Sequence, residues 1–430
     1  KFNPNAITIH GGTNFPHKHE LQKIFLQNRP YTDIHTLFEG ERALLSVVKR
    51  ILASNLERKK IFELPIDGCV FIHPDTKKFT KVKQKFVIGK SLERIKDLDE
   101  IPSPYLTGIL DKFFDGNLTP FIETNRGCPF TCTFCHTGAD YFHKLNKFSE
   151  DRVKEEIEYI GKKAGKLGIT NLHFADVNFG MYPQDRKTCE FLIKSKKKYG
   201  WPLQVMATTG KNSKARVIEI TKILGNMFGI NMSMQSMDEQ VLRNIKRSNI
   251  KLDHMTEINN YIKSEGRTAK GELIIPLPGE TKETFIKGIA DVIDSGVSNL
   301  TIYTLMQLHG TEFKDPEYRK KFGYESKVRI VPLNYGEYEN KKVFDYEEVA
   351  VKTNSTSFKE YLDLRGVALF VETLLNGKPF DELFRYAEDS GVNKISVIQS
   401  LQENMQEAPM KIKKLYGDFI SETKEELWDS

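Results

Sequence analysis

From about residue 119 the sequence repeats a short apolar run followed by an amphipathic stretch, and it does so six times. The strand candidates are Pro120 to Thr124, Asn171 to Asp176, Leu203 to Thr208, Gly229 to Met234, Lys270 to Ile275 and Asn299 to Leu305. In the first intervening stretch Val153, Ile157, Ile160 and Ala164 recur at three- and four-residue intervals, which predicts a helix with one apolar face. Ser149 suits its N-cap, with Glu150 and Asp151 in the first turn where the helix dipole favours negative charge. Strands that alternate with helices form a parallel sheet, and six repeats suffice to curl it into an open, partial (β/α)6 TIM-like barrel. In such a barrel the chemistry sits at the C-terminal ends of the strands.

Around this repeat the 430 residues divide into further units. Residues 1–58 read as strand, helix, strand, helix: a run from Ala6 to Ile9 ending in Gly11 and Gly12, a helix near Leu21, Ile24 and Phe25, a second strand from Ile34 to Phe38, and a helix through Leu44, Val47, Val48 and Ile51. That pattern is a partial doubly wound half-sheet. Residues 59–117 are expected to be a connector, residues 118–312 the barrel, and residues 313–430 a mostly helical C-terminal region with Phe370, Val371, Leu374 and Leu375 as its buried stripe. The chain opens on Lys1 in what reads as the interior of a domain, so more protein is expected upstream.

Composition narrows the function classes. A net charge of +6 from 64 basic and 58 acidic residues gives no polyanion footprint, and lysine runs such as Lys196 to Lys198 read as solvated helix faces. No apolar run approaches the length of a membrane span and no signal peptide is evident, which together predict a cytoplasmic protein. Five cysteines, three of them within eight residues, are not spaced as a disulfide framework.

Those three, Cys128, Cys132 and Cys135, lie directly after the first barrel strand with C-x3-C-x2-C spacing. Three thiolates saturate all but one iron of a four-iron cluster, and an open coordination position is where chemistry happens. Gly127 and Pro129 suit a tight loop. The competing reading is a structural zinc site with His136 as fourth ligand, although adjacent residues of one loop ligate one ion poorly. Cys69 and Cys189 read as small buried hydrophobes.

The cysteine loop, with aromatic Phe134 before its last cysteine, in a six-fold β/α repeat, resembles the radical S-adenosylmethionine (SAM) superfamily over residues 118–312. The resemblance implies a 4Fe-4S cluster on Cys128, Cys132 and Cys135 that chelates SAM and cleaves it reductively to a 5′-deoxyadenosyl radical for hydrogen abstraction. It also implies cofactor contacts: Phe134 beside the cluster, Asp176 and Asn178 toward the methionine amino group, and Ser233, Gln235 and Arg247 toward the ribose and carboxylate. Ile275, within Gly271 to Glu280, and Tyr303 with Met306 correspond to positions that pack near adenine. The Gly11-Gly12 turn, Phe38 to Glu41 and Pro102 to Gly108 resemble members that carry a cobalamin-binding domain ahead of the barrel, which implies cobalamin, methyl transfer and a tail held near the glycine pair. The expected partners are a small-molecule or lipid/sugar-type substrate and an external reductant such as flavodoxin or ferredoxin, with neither nucleic acid nor membrane span. Two alternatives remain: a cobalamin-independent radical rearrangement or oxidation enzyme, and a non-catalytic iron-sulfur electron carrier.

Overall fold

The computed structural model describes residues 6–210 and 214–429. The N-terminal sheet begins with β1 (Ile9–His10), α1 (His19–Gln27), β2 (Ile34–Thr36), α2 (Gly40–Ala53) and α3 (Arg58–Phe62). The two strands β1 and β2 are parallel, as the half-sheet pattern predicts. Two strands from the expected connector, β3 (Cys69–Ile72) and β4 (Phe86–Ile88), then join antiparallel and extend the sheet in the order β1-β2-β3-β4. The reason is visible in β3, whose four residues Cys69-Val70-Phe71-Ile72 are all buried. Cys69 and Phe71 pack with Ile34, Val47 and Ile61, and Val70 and Ile72 pack with Phe15 and Leu26 on the other face. The expected strand over Ala6 to Ile9 is instead confined to Ile9 and His10.

The barrel strands are β5 (Phe121–Ile122), β8 (Asn171–Phe174), β9 (Gln204–Met206), β10 (Ile230–Gln235), β11 (Ala269–Ile275) and β12 (Asn299–Thr304), with a two-stranded ribbon of β6 (Asn125–Arg126) and β7 (Asn146–Lys147) after the first. Every pairing in the orders β5-β8-β9 and β10-β11-β12 is parallel, and a parallel bridge from Val205 to Phe228 joins the two halves. The helices α4 (Glu150–Ala164), α5 (Pro183–Tyr199), α6 (Lys214–Leu224), α7 (Glu239–Asn244), α8 (Leu252–Ser264) and α9 (Lys282–Asp294) fill the connections. Ser149 caps α4 by accepting from the Arg152 amide, as expected. Gly161 lets α4 approach α5, since a Cβ there would lie 2.3 Å from Ser195 Oγ.

Trp201 is fully buried in the same core. Trp201→Ala is expected to destabilise the chain by about 3–5 kcal/mol, because a core of this density does not collapse around so large a void. Urea unfolding of the metal-free protein measures it, and a loss under about 1 kcal/mol would contradict this packing.

After the barrel, α10 (Pro316–Phe322) leads into a long antiparallel hairpin, β13 (Glu325–Tyr338) and β14 (Lys341–Lys352), and then α11 (Phe358–Phe370), α12 (Asp381–Asp389), α13 (Lys394–Glu403) and α14 (Met410–Glu425). The hairpin departs from a mostly helical region. Its second strand meets the chain just past the end of β12, where the Ala350 amide donates to Leu305 O and the Gln307 amide to Glu348 O, while Leu300 of β12 itself bonds to the Asn376 side chain. Of the expected stripe, Phe370 and Val371 are buried while Leu374 and Leu375 are half-buried. Among the described residues no helix is long and apolar enough to cross a membrane.

Candidate active site

The β6–β7 ribbon brackets the cysteine loop. Gly127 has φ +124°, and a Cβ there would lie 2.5 Å from Lys144 O and 2.9 Å from Phe142 O, so the chain turns where only glycine fits. The next amide, of Cys128, donates to Phe142 O at 2.8 Å, and the Cys135 amide donates to Cys132 O at 3.1 Å. Gly138 approaches equally closely, with its missing Cβ 2.2 Å from Cys132 O. Cys128 and Cys132 are buried and Cys135 is half-buried, all three as free thiols. Each sulfur has polar company: Asn178 Nδ2 donates to Cys128 Sγ at 3.3 Å, Thr137 Oγ1 lies 3.2 Å from Cys135 Sγ, and the Arg247 guanidinium faces all three cysteines, Cys132 most directly. Among the described residues no group of three or more Cys, His, Asp or Glu side chains gathers as the ligand set of a single metal ion. His136 turns away, with Nε2 3.0 Å from His309 O.

The other expected contacts are distributed as follows. Asp176 is buried beneath the loop, and its carboxylate accepts from the Thr124 amide at 2.8 Å and Asn125 Nδ2 at 2.8 Å. It therefore clamps the strand end that precedes the cysteines rather than presenting its oxygens to a ligand. Burial pushes its carboxyl up to about 7 against the pull of those donors. A carboxyl whose folded pKa is raised contributes stability that is fully present below its unfolded value and is lost as pH rises through the folded one. Melting temperatures of the metal-free protein are expected to fall between about pH 4 and 7 on this account, and Asp176→Asn is expected to flatten that fall. An unchanged pH profile in the Asp176→Asn protein would sink the assignment.

Gln235 ends β10 at φ +69°, at a register shift against β11, with its Oε1 buried and unpartnered. Ser233 donates to Glu272 on β11, which also accepts from Asn231 Nδ2 at 2.6 Å. Arg247 donates to Ser233 O and, from Nε, to Asn249 Oδ1 at 2.7 Å, and its Nη1 is buried without a partner. Tyr303 is half-exposed, and burial together with the Glu272 charge raises its phenol pKa. Met306 pairs with Val349 of the hairpin, Ile275 is fully buried, and Phe134 packs on Phe313 with centroids 6.2 Å apart. Gly11 packs against Thr36, whose Oγ1 would lie 2.4 Å from an added Cβ, whereas Gly12, at φ +105°, has open space. Cys69 and Cys189 are fully buried, and burial pushes the Cys69 thiol up to about 12.

The sequence does not reveal how tightly the N-terminal sheet meets the cysteine loop. Arg126 forms ion pairs with Glu123 at 2.8 Å and Glu41 at 2.9 Å, and Phe38 stacks on Tyr141 at 4.0 Å. The loop after β12 clasps the other side: His17 Nε2 lies 2.8 Å from Gly310 O, the His309 amide donates to Asn14 Oδ1 at 2.7 Å, and Lys18 pairs with Asp315. Between these contacts lies a cavity of about 580 Å³, walled by Leu21, Ile24, Phe25 and Phe38 on one side and by Cys132 and Cys135 on the other.

The cysteine loop thus sits at the C-terminal end of the first strand of a parallel six-stranded barrel, where the resemblance to radical SAM proteins leads one to expect it. Residues 122–292 match the radical SAM superfamily. Over 97% of its length it is 28% identical to the cobalamin-dependent radical SAM methyltransferase TokK of Streptomyces tokunonensis, and likewise to the 2-(S-pantetheinyl)-carbapenam-3-carboxylate methyltransferase of Streptantibioticus cattleyicolor. Each alignment covers 61% of the relative, so the chain spans about three-fifths of their length. The fold is shared with two solved structures at 12% identity. One is the radical SAM methyltransferase TsrM of Kitasatospora setae with tryptophan and a SAM analogue (TM-score 0.52, 77% of this chain and 61% of that one); the other is the cobalamin-dependent SAM radical enzyme OxsB in its apo form (TM-score 0.53, 98% and 62%).

Proposed function

We propose that this chain is the larger part of a cobalamin-dependent radical SAM methyltransferase that acts on a small molecule. The observation that carries the reading is the cavity, which places Cys132 and Cys135 opposite an apolar wall of the N-terminal sheet. The residues fit a cluster: three free thiols in a glycine-cradled loop, with buried polar atoms of Asn178, Gln235 and Arg247 left without protein partners. They fit cobalamin through a cavity of about 580 Å³ whose lining includes the apolar side chains of Leu21, Ile24, Phe25 and Phe38. When bound, the cluster supplies the electron that cleaves SAM, and cobalamin carries the methyl group.

The chain's own residues do the rest. Gly127 and Gly138 fix the thiols, Gln235 offers an acceptor at the end of β10, and the contact of His17 with Gly310 O ties the N-terminal segment to the loop after β12 at the cavity wall. The names of both relatives that align along nearly the whole chain support methyl transfer, and that of the carbapenam-carboxylate methyltransferase supports a small-molecule substrate. Anaerobic reconstitution with iron, sulfide and hydroxocobalamin, followed by desalting, tests the cobalamin part. Stoichiometric cobalt per chain is expected, and a protein that carries iron but no cobalt would reduce the reading to a radical SAM enzyme without cobalamin.

A further inference from the structure

Arg247 is a charge without a carboxylate. It is 7% exposed, forms no ion pair with Asp or Glu among the described residues, and spends Nε on the Asn249 amide oxygen and one Nη on Ser233 O, leaving Nη1 buried with no partner. A guanidinium buried in that way is strongly destabilising unless an anion sits beside it. The charges it faces are the sulfurs of Cys132, Cys135 and Cys128. The backbone fixes this approach, because the Thr133 amide donates to Ile245 O at 3.1 Å and so docks the cysteine loop onto the turn that carries Arg247. Asn178, fully buried at the end of the second barrel strand, gives one amide N–H to Cys128 Sγ at 3.3 Å, and the Thr137 hydroxyl stands 3.2 Å from Cys135 Sγ. Each of the three thiols thus has one side-chain donor or cation of its own.

We infer that Arg247 is the counter-charge of the iron-sulfur cluster, and that it acts with Asn178 and Thr137, which donate to the Cys128 and Cys135 ligands, to set the cluster's reduction potential. This rests on the radical SAM reading, and it gives Arg247 and Asn178 a task other than holding the methionine end of SAM. The physical basis is direct. A four-iron cluster on three thiolates is anionic, and reduction adds one more negative charge. A nearby cation and N–H···S or O–H···S bonds stabilise the reduced form more than the oxidised one, so they raise the potential. All three are positioning residues, since none needs to touch the substrate.

The test is the midpoint potential of the reconstituted cluster, followed by the electron paramagnetic resonance signal of its reduced form, with iron and sulfide content measured on the same samples. Arg247→Gln and Asn178→Ser are each expected to shift the midpoint to lower potential, with Arg247→Lys near wild type. Arg243→Gln, which removes an exposed arginine of α7, is the control and should leave the midpoint in place. A purely structural role would lower the iron content but leave the potential of the remaining cluster unmoved, and that result overturns the inference. If Arg247→Gln assembles no cluster, Asn178→Ser and Arg247→Lys decide: an Asn178→Ser protein at the wild-type potential, or an Arg247→Lys protein shifted well below it, overturns the inference. Failure of the wild-type protein to load iron would instead overturn the radical SAM reading, so the two failures are distinct.

Discussion

Cys132→Ala is expected to leave a folded protein that binds no cluster and cleaves no SAM. On the proposed reading the three thiols are the loop's protein ligands to the cluster, and Cys132 lies at its middle, with its carbonyl accepting from the Cys135 amide and packed against Gly138. Removing one of three anchors leaves two irons without a protein ligand, which a cluster open at one iron does not tolerate. Alanine fills less space in a site that is 3% exposed, but the barrel core lies elsewhere, so stability should change by no more than about 1–2 kcal/mol. Anaerobic reconstitution provides the readout, through iron content and the brown thiolate-to-iron charge-transfer absorbance. Retention of brown colour and iron would remove Cys132 from the ligand set.

The second large effect concerns a residue with no side chain. Gly127→Val is expected to abolish cluster assembly nearly as completely as loss of a cysteine, because φ +124° is closed to a β-branched residue and its Cβ would overlap the carbonyls of Phe142 and Lys144. The backbone strain alone amounts to about 1–3 kcal/mol, and relieving it means pulling the loop away from the β6–β7 ribbon, which breaks the Cys128 amide bond to Phe142 O. The barrel should still fold, so urea unfolding should retain a cooperative transition while iron content collapses. Normal iron loading in the valine variant would show that the ribbon does not hold the loop in place.

Much of this architecture is legible in the sequence because its signals are local. The strands at Asn171, Lys270 and Asn299 begin within a residue of where the apolar runs put them, and the Ser149 cap and the α4 face follow from spacing alone. The hairpin is harder to read. Its turn, Glu339-Asn340, takes φ +49° and +63° without the Asn-Gly pair that usually announces such a turn, and its outer residues Tyr335, Val343 and Tyr346 are exposed, so no buried alternation marks it. The connector reads as short strands alternating with turns, but which sheet β3 and β4 join is hidden for a related reason: Cys69 to Ile72 is apolar on both faces, and only its partners reveal which sheet it completes.

The site divides along the same line. The cysteines and Gly127 announce themselves by spacing. Asp176, Asn178 and Arg247 are visible as polar residues at strand ends or just beyond, but what each one faces depends on contacts across 14 to 52 positions of chain: Asp176 on Thr124, Asn178 on Cys128, Arg247 on Ser233. The cavity is not legible at all, since its walls come from α1, the cysteine loop and the loop after β12, which are brought together by Arg126 with Glu41 and by His17 with Gly310.

The central claim is that the loop of Cys128, Cys132 and Cys135 holds a cluster that cleaves SAM. The most direct measurement is anaerobic reconstitution of the chain, reduction with dithionite in the presence of SAM, and quantification of iron per chain together with 5′-deoxyadenosine or methylated product. The predicted result is about four irons per chain, as one 4Fe-4S cluster requires, with time-dependent consumption of SAM that Cys132→Ala abolishes. Full iron loading with SAM left intact would contradict it and leave an iron-sulfur protein without the chemistry assigned here.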